Sequence, residues 1–184
     1  MKSTKNLITF IKTPRPMRTL AIAICLIISL TVRSQSLKKY PISNSGCSYY
    51  GYCEPGKWDV DKSEDSSDVW TSECKNGDVN YGVICVKLKE PVSDIEQAQD
   101  IVVEYLDYLK QSFSVKKAVG YGKGNYLNND TNTRGVVDYW EDADKNSYKV
   151  KAWTNGKFIA VLFAYSLKPL PETKVDVFLN GLRF

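Results

Sequence analysis

The chain contains no histidine. That absence removes His-based catalytic triads, imidazole zinc sites and the commonest general base together. Acidic residues are missing from everything before Gln35, whereas Lys2, Lys5, Lys12, Arg15, Arg18 and Arg33 fall there. A membrane-length apolar run is also missing: TLAIAICLIISLTV (Thr19 to Val32) falls short of the ~20 residues a spanning helix needs.

That run has the size and basic flank of a secretory signal, so residues 1–34 read as a signal peptide, with Met17 an alternative start. Ser34 with Val32, or Ser36 with Ser34, supplies small residues for cleavage before Gln35 or Leu37. An uncleaved anchor is the competing reading. Ile24 is too large for a lipobox around Cys25. Cleavage turns the whole-chain charge of +4 into −2, because it removes those six basic residues and no acid. The basic balance therefore belongs to the targeting segment, which excludes a cationic footprint for nucleic acid and leaves no membrane span in the mature chain. The expected location is exported, either periplasmic or secreted.

Cleavage also removes Cys25 and leaves Cys47, Cys53, Cys74 and Cys85, an even set for an oxidising compartment, so two disulfides are expected. Their connectivity stays open. A tight turn at Asn76-Gly77 would hold Cys74 and Cys85 apart and send each to Cys47 or Cys53. An irregular loop would instead allow Cys47–Cys53 with Cys74–Cys85.

The organising stretch is Arg134 to Ser166, which reads as three antiparallel strands. Asn155-Gly156 suits a two-residue type I′ turn, placing Ala152 opposite Ile159, Val150 opposite Val161 and Tyr148 opposite Phe163. A four-residue loop, Ala143 to Asn146, then sets Tyr139 opposite Val150 and Val137 opposite Ala152. One face collects Val137, Tyr139, Tyr148, Val150, Ala152, Ile159, Val161 and Phe163. The other collects Val136, Asp138, Trp140, Lys149, Lys151, Trp153, Phe158, Ala160 and Leu162, with Asp138 paired across the ladder to Lys151.

Around this sheet, residues 35–78 read as an irregular cystine-containing segment and 79–184 as the folded domain. CSYYGYC (Cys47 to Cys53) displays Tyr49, Tyr50 and Tyr52, which serve either as outward contact residues or as cover for a sheet edge or face, the commoner fate of tyrosine. Val79 to Leu88 has strand character. Ser93 with Glu96 matches a capping box, and Ile95, Ala98, Val102, Tyr105, Leu109 and Phe113 form the stripe of an amphipathic helix that covers the apolar face. Gly120, Gly122 and Gly124 mark a strand with a close neighbour; no helix follows them to make a phosphate loop. Asn129-Asp130-Thr131 fits the N-glycosylation pattern. Pro169 and Pro171 precede a final helix bearing Val175, Phe178, Leu179 and Leu182, with Gly181 near its end. The fold class is thus α+β: a single domain with an antiparallel sheet, a long helix on one face and a short C-terminal helix, sandwich-like.

Asp142, Asp144 and Asn146 open like a calcium loop, but Ser147 stands where glycine is needed and Trp153 where the bidentate Glu is needed, so they read as turn residues. Asp138 and Glu141 point to opposite faces and cannot flank one bond. No catalytic residue, metal ligand or cofactor site is expected.

The order strand, capped helix, antiparallel strands and short closing helix, with the ending VDVFLNGLRF (Val175 to Phe184), resembles the PsbP-like family of exported α/β/α-sandwich domains over about Val79 to Phe184. The resemblance implies that fold and an accessory, non-enzymatic binding role, and it assigns no cofactor or catalytic residue. The first functional expectation is an exported binding protein for a protein, glycan or small ligand, using Asp138, Trp140, Lys149, Lys151 and Trp153 or the tyrosine loop. Sheets with two apolar faces are usually covered on both, which favours burial of those tryptophans instead. The alternatives are a carboxylate-dependent hydrolase and a structural component of an envelope or surface assembly.

Overall fold

The computed structural model describes residues 36–184; the signal-peptide reading and Cys25 lie outside them. Eleven strands and two helices follow in order: β1 (Lys38–Pro41), β2 (Ser48–Gly51), β3 (Asp59–Lys62), β4 (Asp68–Asn76), β5 (Val79–Lys87), α1 (Ile95–Ser112), β6 (Val115–Ala118), β7 (Gly122–Asn125), β8 (Arg134–Asp142), β9 (Ser147–Thr154), β10 (Phe158–Ser166), α2 (Glu172–Leu179) and β11 (Leu182–Arg183). The main sheet runs β3-β4-β5-β10-β9-β8-β6, with β7 also on β8, and a small sheet runs β1-β2-β11. All pairings are antiparallel. The α+β class and the two-sided cover are as expected.

The periodic stripe of α1 makes the first core. Val102, Leu106 and Leu109 pack on Ile84, Val86, Val136, Val150, Val161 and Phe163. Each fully buried aliphatic side chain of this kind contributes about 1.5–3 kcal/mol. Asp94, one residue after the expected cap Ser93, caps the helix by accepting from the N–H groups of Glu96 and Gln97. On the opposite face, Val175, Phe178 and Leu179 of α2 join Ile42, Tyr49 and Leu182 over Val83, Trp153 and Leu162. Leu182 therefore belongs to a strand and not to the final helix, which stops at Leu179.

Within Arg134 to Ser166 two turns differ from expectation, with unequal consequences. At the β9–β10 turn Thr154 pairs with Ile159 and Val150 with Phe163, two residues away from the expected register. Only Gly156 takes positive φ (+78°), while the Asn155 side-chain oxygen accepts from the N–H groups of Lys157 and Phe158 and widens the loop. An even shift keeps every side chain on its face, so Val150 and Val161 still meet α1.

At the β8–β9 turn the shift is odd. The loop closes over Ala143-Asp144-Lys145, with Lys145 at φ +69° and Asp142 N–H donating to the Asn146 carbonyl. The Asp142 carboxylate accepts from Asp144 N–H, Asn146 N–H, Asn146 Nδ2 and Tyr148 Oη, which holds this tighter turn. Trp140 therefore faces Tyr148 and Asp138 faces Val150. Val136, Asp138 and Trp140 move to the α1 face, Val137 and Tyr139 move off it, and the Asp138–Lys151 pair is lost.

The segment before Val79 is more regular than expected, because it supplies β1 to β4. Its β4 turns into β5 at Gly77-Asp78, with Asn76 opposite Val79 and positive φ at Gly77, the geometry of a type II′ turn. Cys74 then lies opposite Tyr81 while Cys85 lies opposite Trp70, too far apart to bond. Cys74 instead joins Cys53, with Cα atoms 5.9 Å apart. Among the glycines, the tight aromatic neighbours fall at Gly82, under the Phe163 ring, Gly135, under Trp153, and Gly51, beside the Tyr49 ring; Gly122 meets Val137.

Candidate functional site

The expected contact residues are not brought together on one open surface. Trp153 is buried beneath α2 and donates its indole N–H to the Leu179 carbonyl at 2.8 Å. Lys151 is half-buried, donating to Asn180 Oδ1 at 2.9 Å and lying 4.5 Å from the Trp153 ring centroid. Lys149 is buried and reaches Glu172 at 2.6 Å and Asp176 at 2.9 Å on α2. Trp140 and Asp138 are buried on the other side of the sheet, under α1. Tyr49 is buried edge-on to Phe178. Tyr50 and Tyr52 are half-buried, the first under the Arg183 guanidinium at 5.2 Å and the second against Tyr81 at 6.0 Å.

What the register of β8 does leave open is Tyr139, 42% exposed on the α2 side of the sheet. It floors a groove of about 510 Å³ whose walls include Lys117, Val119, Glu141, Lys149, Leu170 and Glu172. Val119, on the rim after β6, is 82% exposed. Lys149 Nζ lies 5.4 Å from the Tyr139 ring centroid, close enough for cation–π attraction. Burial pulls the Lys149 ammonium toward neutrality, but Glu172 and Asp176 outweigh it and hold the group far above the usual lysine range.

The carboxylates of the groove are each taken by a lysine. Glu141 accepts from Lys117 at 3.0 Å and Lys145 at 3.1 Å, and both bonds hold its pKa below the ordinary value. Glu172 is taken by Lys149. Two acids that divide acid and base roles need environments pushing their pKa values apart, with one held protonated; Glu141 is pushed the other way. The groove offers an aromatic floor, aliphatic rims and paired charges of both signs, a surface suited to holding a ligand. Among the described residues no group of three or more Cys, Asp or Glu side chains is placed to hold a metal ion.

A buried ion pair positions the rim. Asp138, fully buried, meets Lys110 Nζ of α1 at 3.0 Å and accepts from Trp140 Nε1 at 2.7 Å, Tyr139 N–H at 2.8 Å and Gly120 N–H at 3.1 Å. Lys110 also donates to Tyr121 Oη at 2.7 Å, and Tyr121 in turn donates to Asp107. The strap 119–121 is thereby tied to α1 and to the back of Tyr139. This role of Asp138 escaped sequence reasoning, because the expected parity placed it on the opposite face.

A scan against protein-family models matches none to this chain, and a search of curated proteins finds no match. Among the described residues, no helix is long and apolar enough to cross a membrane, and Cys53–Cys74 is a disulfide. The disulfide is compatible with an extracellular protein.

Proposed function

We propose that this chain is an exported, non-enzymatic accessory or binding protein, and that it holds an extended segment of a partner protein in the Tyr139 groove. The observation carrying this reading is the half-exposed Tyr139 beside β6, which ends the main sheet and pairs with β8 alone among the described residues. An open strand edge provides backbone hydrogen bonds to an added strand, and a neighbouring aromatic recess provides selectivity for one of its side chains. Export is supported by the apolar run with its basic flank and by the cystine Cys53–Cys74. The sandwich architecture supports the PsbP-like resemblance as a proposal about ancestry, without carrying over any residue's role.

The test is co-purification from the native envelope fraction with wild-type protein, Tyr139→Ala and Tyr108→Ala, the last removing an exposed tyrosine of α1 remote from the groove. A partner held by the wild type and by Tyr108→Ala, and lost with Tyr139→Ala, supports the reading. Equal retention by all three removes the groove as the contact surface. Turnover in a screen of glycan and ester substrates would overturn the non-enzymatic part.

A further inference from the structure

The two cysteines left outside the disulfide are not scattered. Cys47 and Cys85 are 3% and 0% exposed and belong to one core cluster with Ile42, Trp70 and Ala160. Cys47 ends the loop between β1 and β2, which is pinned from within by Ile42 N–H to the Cys47 carbonyl at 2.9 Å and Cys47 N–H to Ser45 Oγ at 3.1 Å. The same loop is tied to the main sheet where Trp70 Nε1 donates to Asn44 Oδ1 at 3.0 Å. Trp70 is the cross-strand neighbour of Cys85, so the two attachments sit side by side. Each thiol is the largest influence on the other, lowering the pKa of Cys47 and raising that of Cys85.

We propose that Cys47 and Cys85 are joined in the exported protein as a second disulfide, enclosing Cys53–Cys74 and clamping the β1-β2-β11 sheet onto β5. The inference is independent of what the groove binds. The oxidant is a disulfide, either a small molecule such as oxidised glutathione or a protein thiol oxidase. The Cys47 thiolate attacks one of its sulfurs and displaces a thiol, forming a mixed disulfide. Cys85 then loses its proton and attacks the Cys47 sulfur, breaking the mixed bond and releasing the second thiol. Two electrons pass to the oxidant, and both protons end on its thiols. Because neither sulfur reaches solvent in the closed fold, exchange takes place before the 42–47 loop seats or in a locally opened form.

The experiment uses wild-type protein secreted into a bacterial periplasm, unfolded in guanidinium with N-ethylmaleimide and no reductant, then digested and mapped by mass spectrometry. The expected result is no maleimide on any cysteine and a peptide pair linking Cys47 to Cys85. Maleimide on both Cys47 and Cys85, or a link from either to Cys53 or Cys74, would overturn the proposal. As an independent readout, the reduced folded protein given oxidised glutathione should lose its Cys47 and Cys85 thiols faster as sub-denaturing urea is raised. A rate insensitive to urea would refute the opening requirement.

Discussion

Replacing Asp138 by Asn tests the network that holds the groove rim. The change keeps the shape of the side chain but removes a fully buried charge that faces Lys110 and accepts from Trp140, Tyr139 and Gly120. An amide has one acceptor oxygen, and its NH₂ group must point at donors. Breaking a buried pair by removing one partner costs about 3–5 kcal/mol. Lys110 is 18% exposed and keeps Tyr121 Oη, so it is partly rehydrated and the low end applies, about 3 kcal/mol. For a domain of this size that is a fall in Tm of roughly 6–12 °C. Urea denaturation followed by tryptophan fluorescence should show a lower midpoint at unchanged slope. The double variant with Lys110→Met should be less damaged than the sum of the singles, by about 2 kcal/mol. Amide exchange at Gly120 should accelerate in Asp138→Asn.

The pH dependence of that coupling has a definite sign. Burial lowers the Lys110 pKa, but its bonds to Tyr121 and Asp138 and the Asp138 charge raise it further, so the folded value stands above the ordinary one. A group with a raised folded pKa contributes its full stability below its unfolded value of about 10.4 and loses it as pH climbs through the folded value. The coupling should stay flat through neutral pH and shrink above about pH 10.4. A loss under about 1 kcal/mol for Asp138→Asn, or additivity in the cycle, would refute the claim that a buried ion pair positions the strap.

Lys149→Met should behave differently although Lys149 is also buried: its partners Glu172 and Asp176 are 65% and 52% exposed, so their charges stay in water when the lysine goes. The expected cost at neutral pH is under about 1 kcal/mol by urea denaturation, and the variant should lose less stability than wild type above about pH 10.4, because the raised Lys149 pKa makes its contribution fade only there. Gly82→Ala should cost at least about 1–3 kcal/mol in thermal melts, since a Cβ would overlap the Phe163 ring in the core. Gly77→Ala, at φ +63° with open space around it, serves as the comparison and should cost about 1 kcal/mol.

The chain's periodicities alone determined much of this protein: the α1 stripe, the strands β5 and β8 to β10, the reversal at Gly156 and the cover of the sheet on both sides. These rest on local spacing, which a helix reads every three or four residues and a strand every two. Which side of β8 meets α1 was not decided that way. Its two sets, Val136, Asp138 and Trp140 against Val137, Tyr139 and Glu141, each hold an aliphatic, an acidic and an aromatic residue, so their composition does not separate a core face from an open one. The choice fell to a one-residue difference in loop length, stabilised by the Asp142 carboxylate and by Lys145 in the left-handed region. Only the tertiary structure brought Leu182 and Arg183 at the C-terminus beside β2 and gathered Cys47 and Cys85 into one core cluster. Contacts between segments so distant along the chain leave no period in the intervening residues, and they form because the second sheet face has apolar surface that α2 by itself does not cover.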